Sequence, residues 1–306
     1  MPPEAYFCQM KVSGFTFVRN ALKYDYPIVE SIQSLLPLVD EYIVCIGNSD
    51  DETVRLIQSI SSPKIKIIHS VWDDNLREGG RVLAVETDKA KAAVAAESDW
   101  LFYLQGDECI HEKDFAEIKA AMLEYKDDIR VDGILFKYFH FYGNYNYIGD
   151  SRRWYNREIR IIRNNGAIKS WKDAQGFRKN SEKLNVKLIN ATIYHYGWVK
   201  NPQLQKAKQK DFGKLWISND EAIKKHQVYL DSFKDGFAYA DEVDSLTLFN
   251  STHPAAMKDR IAKSDWLFEF DTAKKRFRNF KSRLLYLIEK NTGKRLFDYR
   301  NYKLLR

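Results

Sequence analysis

The first 125 residues alternate short apolar runs with amphipathic stretches. Val12–Val18 reads as a strand, 27–36 as a helix, and Glu41–Ile46 as a second strand that enters the polar turn Gly47-Asn48-Ser49-Asp50-Asp51. Ser49 or Asp50 is the expected cap of a helix running from Thr53 to Ile60, because a short oxygen-bearing side chain accepts from first-turn amides. Pro63 closes that segment before Ile65 and Ile67 alternate as a strand. A polar loop with Asp73, Asp74 and Gly79-Gly80 leads to an Ala-rich helix over 82–96, whose small face permits close approach to a sheet. The nearly continuous apolar run 100–104 has the composition of a central strand covered on both faces, and it stops at Gln105-Gly106-Asp107-Glu108. A helix over 112–125 completes the alternation, which predicts an α/β fold with a mostly parallel central sheet and right-handed crossovers.

The second half changes texture. Strands are expected over 134–141, Arg157–Arg163 and 189–196, with aromatic and turn residues interleaved from Tyr142 to Tyr147. Residues 200–233 read as charged helix, broken near Ser218-Asn219-Asp220, where Ser218 or Asp220 caps the next segment. A short helix is expected within 251–262, with Thr252 as cap and Pro254 in the first turn. From 272 to 290, Phe277, Phe280, Leu284, Leu287 and Ile288 recur at three- and four-residue steps among basic residues, predicting an amphipathic helix ended by Gly293. The expected organisation is a catalytic-type core over 1–200, divided into halves at 1–125 and 126–200, with a helical region over 201–306 packed on it.

At 306 residues, 44% of them apolar and 30% charged, the chain has enough material for a core without disulfide or metal staples, and it is not a fibrous or disordered type. Cys8, Cys45 and Cys109 are odd in number and far apart, in strands or strand ends, as buried thiols of a reducing compartment would be. Neither a leader peptide nor an 18-residue apolar run stands out, so a cytoplasmic location is expected, with peripheral contact at the inner face of a membrane as an extension of it. The formal charge of +7 is uneven. Residues 271–306 hold twelve Lys or Arg against three acids, a balance of +9, which leaves 37 against 39 in the first 270. That places the basic character at the C-terminal end and argues against a domain-wide nucleic-acid footprint.

In an open parallel sheet, ligands collect beyond the carboxyl ends of the strands. Three polar turns satisfy that rule: 47–51, 73–80 and 105–108. Carboxylates at the end of an apolar strand require a cation or amide partners, so Asp107 and Glu108 suit a divalent ion bridging a diphosphate, or else cap the helix near His111. CxxC, HExxH, G-x-S-x-G and Walker-type patterns are absent, as is a dinucleotide glycine fingerprint.

The ordered run Phe17-Val18-Arg19-Asn20, Glu41-Tyr42-Ile43-Val44, Ser49-Asp50-Asp51-Glu52-Thr53 and Trp100 to Glu108 resembles glycosyltransferases of the large family 2 type with the GT-A fold, over roughly residues 12–200. The resemblance implies an inverting, hexosyltransferase-like transfer from a nucleoside-diphosphate sugar to a hydroxyl of a glycan or lipid-linked acceptor, in a glycan or polysaccharide pathway. It implies donor binding by Arg19, Asn20, Asp74, Gln105 and Asp107, a Mn or Mg ion on Asp107 and His195, and Asp173 as the base, with Glu158 in reserve. Two positions depart from the family pattern: Gln105 stands where the first aspartate of the acidic motif is usual, and Gly47 where a nucleotide-recognising aspartate is common. Glu108 would serve the ion through water or orient a donor hydroxyl.

Several further assignments follow. One of Arg152, Arg153, Arg160 and Arg163 would steady the diphosphate, although strand-edge charges look the same in sequence. Tyr142, Tyr145, Tyr147, Trp154, Tyr155 and Trp171 form either an acceptor-sugar wall or ordinary packing. The basic helix over 272–290 suits either an anionic membrane surface or the protein body. The rival of a different class is a catalytically silent glycan-binding or scaffold protein on the same fold, favoured by Gln105 and Gly47. A nucleotidyltransferase would need a basic glycine-rich turn that the sequence lacks.

Overall fold

The computed structural model describes residues 10–76, 79–217 and 219–306; Cys8 and the alternative cap Ser218 lie outside them. In chain order the elements are β1 (Val12–Val18), α1 (Ile28–Leu35), β2 (Glu41–Ile46), α2 (Thr53–Gln58), β3 (Ile65–His69), α3 (Arg81–Ala92), β4 (Trp100–Tyr103), β5 (Glu108–Ile110), α4 (Phe115–Glu124), β6 (Gly133–Tyr142), β7 (Asn144–Gly149) and β8 (Arg157–Arg163). There follow β9 (Ile168–Trp171), β10 (Gly176–Lys179), β11 (Glu182–Lys183), β12 (Asn185–Trp198), α5 (Pro202–Trp216), α6 (Asp220–Asp231), α7 (Tyr239–Glu242), β13 (Leu246–Leu248), α8 (Lys258–Ala262), α9 (Phe280–Thr292) and β14 (Lys303–Leu304).

One large sheet runs β13-β7-β6-β8-β4-β1-β2-β3; β12 joins it through β6 and in turn carries β5 and β14. Its first half, β4-β1-β2-β3, is parallel, as the strand–helix alternation requires. The second half is carried by antiparallel pairings of β8 with β4 and β6 and of β7 with β6. The result is the α/β arrangement that the sequence suggested, a central sheet flanked by helices, with the parallel pairing of the main path confined to its first half.

β4 explains why the sheet is covered on both sides. Trp100, Phe102 and Leu104 enter the core that contains α1 and α4 residues, whereas Leu101 and Tyr103 enter the opposite core with α3, Phe177 and Ile168. A period of two thus feeds two cores from one strand, and each fully buried large side chain contributes roughly 1.5–3 kcal/mol. Cys45 and Cys109 are buried free thiols, as expected. Among the described residues no helix is long and apolar enough to cross a membrane.

Element ends deviate where tertiary partners claim the expected caps. Asp51, not Ser49 or Asp50, accepts from the Thr53 amide, because the Ser49 hydroxyl accepts from Asn20 N–H and donates to the Gly47 carbonyl. Asn219 caps α6 in place of Asp220. Thr252 bonds His111, and the next helical turn starts after Pro254. The helix expected over 272–290 begins only at Phe280, capped by Asn279, and ends at left-handed Gly293. Upstream, Lys275 is drawn to Asp150 and the Leu246 carbonyl, and the Arg276 amide to the Asp244 carbonyl, which fixes 272–279 outside helical geometry.

Candidate active site

At the carboxyl ends of β1, β2 and β4 lies a cleft of about 450 Å³, lined among others by Arg19, Asn20, Asp74, Gln105 and Asp107. Asn20 adopts a left-handed conformation (φ 58°), and its side-chain oxygen accepts from the Asp50 amide, so it ties the end of β1 to the turn after β2. Arg19 donates to the Asn48 carbonyl (3.1 Å) and pairs with Asp74 (2.7 Å), while its guanidinium lies 5.5 Å from the Trp72 ring centre. Trp72 also packs on Phe17, and a Cβ at residue 47 would collide with its indole. Gly47 is therefore glycine for room: the Trp72 indole occupies the space that a side chain at this position would need.

The acidic corner is built by a tight turn. Gln105 N–H donates to the Glu108 carboxylate, and Glu108 N–H donates to the Gln105 carbonyl. Glu108 is fully buried and held by Arg160 through two bonds of 2.7 and 2.6 Å, with the Tyr138 hydroxyl donating as well. This corrects two expectations: Glu108 and Arg160 are spent on each other beneath the site. Removing one partner of such a pair strands a buried charge, at a cost of roughly 3–5 kcal/mol. With Glu108 pinned, Asp107 is turned the other way, into the cleft.

Pairing of β5 with β12 sets His195 opposite Glu108, and Tyr196 N–H donates to the Asp107 carbonyl. The His195 Nε2 consequently lies 3.7 Å from the Asp107 Oδ2, and the Lys208 Nζ lies 3.6 Å from the same oxygen. A Cβ at Gly197 would fall 2.6 Å from both Asp107 Oδ2 and His195 Nε2, so this glycine keeps the corner open. Burial acts to raise the Asp107 carboxyl, but His195, Lys208 and Lys200 outweigh it and hold the group below its ordinary value. His195 is pushed down by burial, with Asp107 offsetting only part of the effect, which keeps the imidazole neutral near pH 7.

Asp173 does not line this cleft. It lies in a smaller cavity of about 120 Å³ with Glu158, Gln175, Tyr155, Trp171 and Tyr302. Gln105 lines the larger cleft, and its amide donates to the carbonyl of Ala174, next to Asp173. Lys172 (φ 54°) and Ala174 (φ 63°) flank Asp173 in left-handed backbone, a costly conformation for residues with a Cβ and one that concentrates at functional sites. Burial raises the Asp173 carboxyl above its ordinary value.

Of the other expected residues, Arg152 and Arg153 pair with Glu289 and the Glu242 carbonyl, and Arg163 satisfies carbonyls of the 125–131 segment. Tyr142 and Tyr145 are buried in aromatic stacks with Trp198 and Tyr196, whereas Tyr155 and Trp171 do line the smaller cavity. Sequence reasoning missed Trp72 and the whole contribution of α5. Asp211, Phe212 and Leu215 line the cleft, and with Lys208 they follow the i, i+3, i+4, i+7 spacing of one helical face, a signal present in the sequence.

A divalent cation would have to use Asp107 and His195. Among the described residues no group of three His, Cys, Asp or Glu side chains is arranged to hold an ion. The His195 Nδ1 is buried without a hydrogen-bond partner, whereas a ligating imidazole is normally steered through its second nitrogen. An ammonium already stands beside the carboxylate. The residues present do not fit a resident divalent ion.

No family model and no curated protein matches the chain. Solved structures do. The 4-diphosphocytidyl-2C-methyl-D-erythritol synthase of Anaerococcus prevotii matches over 72% of this chain and 99% of its own, at 13% identity and a TM-score of 0.39. S. aureus TarS 1-349 in complex with UDP matches over 76% and 75%, at 14% identity and 0.36. Glucosyl-3-phosphoglycerate synthase from Mycobacterium tuberculosis, in complex with Mn2+, UDP and phosphoglyceric acid, matches over 44% of each chain, at 20% identity and 0.28. These likenesses assign no residue of this chain a role.

Proposed function

We propose that this chain is an inverting glycosyltransferase that moves a sugar from a nucleoside-diphosphate donor to a hydroxyl of a glycan or lipid-linked acceptor. The observation that carries this is convergence: Arg19, Asn20, Asp74, Gln105 and Asp107, drawn from three separate strand ends, line one cleft sized for a small ligand. Trp72 and Phe17 supply an apolar wall for a base, and Arg19 supplies a cation beside it.

In this proposal the acceptor enters from the side of the smaller cavity, where Tyr155 and Trp171 offer ring faces. The acceptor oxygen attacks the anomeric carbon as the bond from that carbon to the diphosphate oxygen breaks. The diphosphate leaves with the bonding pair, and the hydroxyl proton passes to the Asp173 carboxylate. Asp173 is preferred to Glu158 because burial pushes Glu158 up to about 8, so that it holds its own proton at neutral pH and cannot accept another. The exposed Phe280, Leu284 and Leu287 of α9, set among Lys281, Arg283 and Lys290, suit contact with an anionic lipid surface carrying a lipid-linked acceptor.

The test is a panel of nucleoside-diphosphate sugars assayed for transfer and hydrolysis with the wild type, Asp107→Asn and Asp173→Asn. Asp173→Asn should lose at least 100-fold in kcat with nucleotide affinity kept within about twofold, and Asp107→Asn should lose nucleotide affinity. Wild-type turnover in Asp173→Asn sinks the base assignment. Glycan binding without turnover of any donor would establish the silent-binder alternative instead.

A further inference from the structure

A diphosphate approaching Asp107 meets an unfavourable field. Among the described residues lining the cleft, Arg19, Lys23 and Lys214 stand against Asp50, Asp74, Asp107 and Asp211. Those three cations also have acidic partners already: Arg19 with Asp74, Lys23 with Asp50 and Asp211, and Lys214 with Asp211. Another positive charge is needed where the phosphates would sit, and among the described residues no side chains complete a metal site there.

Lys208 stands directly behind the lining, against three residues that form it, Asp107, Tyr26 and Phe212. It extends from α5, is 6% exposed, and its ammonium packs 4.8 Å from the Tyr26 ring centre and 5.2 Å from that of Phe212. It donates to the Gly197 carbonyl (3.0 Å) and faces Asp107 at 3.6 Å. An ammonium has three N–H donors, so the contacts to Gly197 and Asp107 leave one for a phosphate oxygen that approaches beside Asp107. The aromatic walls and the short reach from α5 fix the charge in place before any ligand arrives, which is the preorganisation that makes electrostatic stabilisation of a departing diphosphate effective. A lysine buried only to match one carboxylate would gain little against its desolvation, whereas one that also serves an anionic ligand has a reason to be there.

We propose that the Lys208 ammonium, seated on Asp107, the Gly197 carbonyl and two aromatic rings, takes the place of the divalent ion and neutralises the donor diphosphate, so that donor binding is independent of metal. The inference rests on the cleft being the donor site. In it Asp107 is a positioning residue: it holds Lys208 and does not ligate a cation.

The experiment is calorimetric titration of the full chain with inorganic pyrophosphate and a panel of nucleoside diphosphates, in EDTA and again in millimolar Mn2+ or Mg2+. The wild type should bind in EDTA, and metal should change its affinity by less than threefold. Lys208→Met should lose at least tenfold for the diphosphate, while affinity for the parent nucleoside stays within twofold, a split that misfolding would not produce. Tenfold or greater tightening by metal in the wild type overturns the proposal, as does wild-type diphosphate affinity in Lys208→Met; the metal arm decides alone if that variant does not fold. Binding only with metal leaves the donor site standing and removes the role of Lys208. No nucleoside-diphosphate binding under either condition removes both.

Discussion

Glu158 offers the sharpest physical test of the site's construction. It is 5% exposed, its Oε2 has no hydrogen-bond partner, and it shares its cavity with Asp173. Burial is the main reason its carboxyl is pushed up to about 8; Arg160 opposes the shift, while Glu108 and Asp173 reinforce it. In the unfolded chain the same group ionises near the ordinary glutamate value. Between those two values the native state holds a proton that the unfolded state has released, so stability must fall as pH rises. A shift of this size corresponds to a loss on the order of 4 kcal/mol between about pH 4.5 and pH 8. Glu158→Gln keeps the shape and removes the titration. Its own amide adds an offset that does not vary with pH, so the informative quantity is how the difference between variant and wild type changes. The variant should gain relative to the wild type by roughly 10 °C in Tm from pH 5 to pH 8.5, taking about 2–3 °C per kcal/mol for a chain of this size. Thermal denaturation followed by circular dichroism at half-unit pH steps reads it directly. A difference that stays flat across that range would show that Glu158 is ionised in the folded protein, and the preference for Asp173 as base would lose its support.

The remaining predictions concern the corner, the strained turn and the basic helix. Gly197→Ala should push the Asp107 carboxylate and the His195 ring off their positions and weaken nucleoside-diphosphate binding at least tenfold, at a stability cost of about 1–3 kcal/mol; titration and thermal melts measure the two effects separately. Lys172→Gly removes a left-handed side-chain residue at an exposed position and should stabilise the chain by about 0.5–1 kcal/mol after the larger unfolded-state entropy of glycine is counted. A lower Tm in that variant would contradict the strain argument. Replacing Phe280, Leu284 and Leu287 together with serine should abolish co-flotation with vesicles rich in anionic lipid and leave soluble-acceptor activity unchanged. Equal flotation of variant and wild type would remove the membrane assignment.

Much of the parallel half was legible because its signals are local. The apolar run at β4, the polar turns at strand ends and the strand–helix alternation each follow from neighbours in sequence, and they sufficed to place Asp74, Gln105 and Asp107 at one end of a sheet, although the helix caps did not follow. What each polar group does there was decided elsewhere. Glu108 and Asp107 are adjacent, yet one is sealed against Arg160 and the other faces a cleft, because Glu108 opens the strand that pairs with β12 while Asp107 lies in the turn before it. Gly47 makes sense only with Trp72 folded over it, and the environment of Asp107 only with Lys208 brought from a helix 100 residues later. Local pattern determined the strand–helix alternation of the first half and the end of the sheet where its polar turns gather. Tertiary packing decided which charges are buried in pairs and which are presented, since the energy of a charge depends on what surrounds it in space and not on its neighbours along the chain.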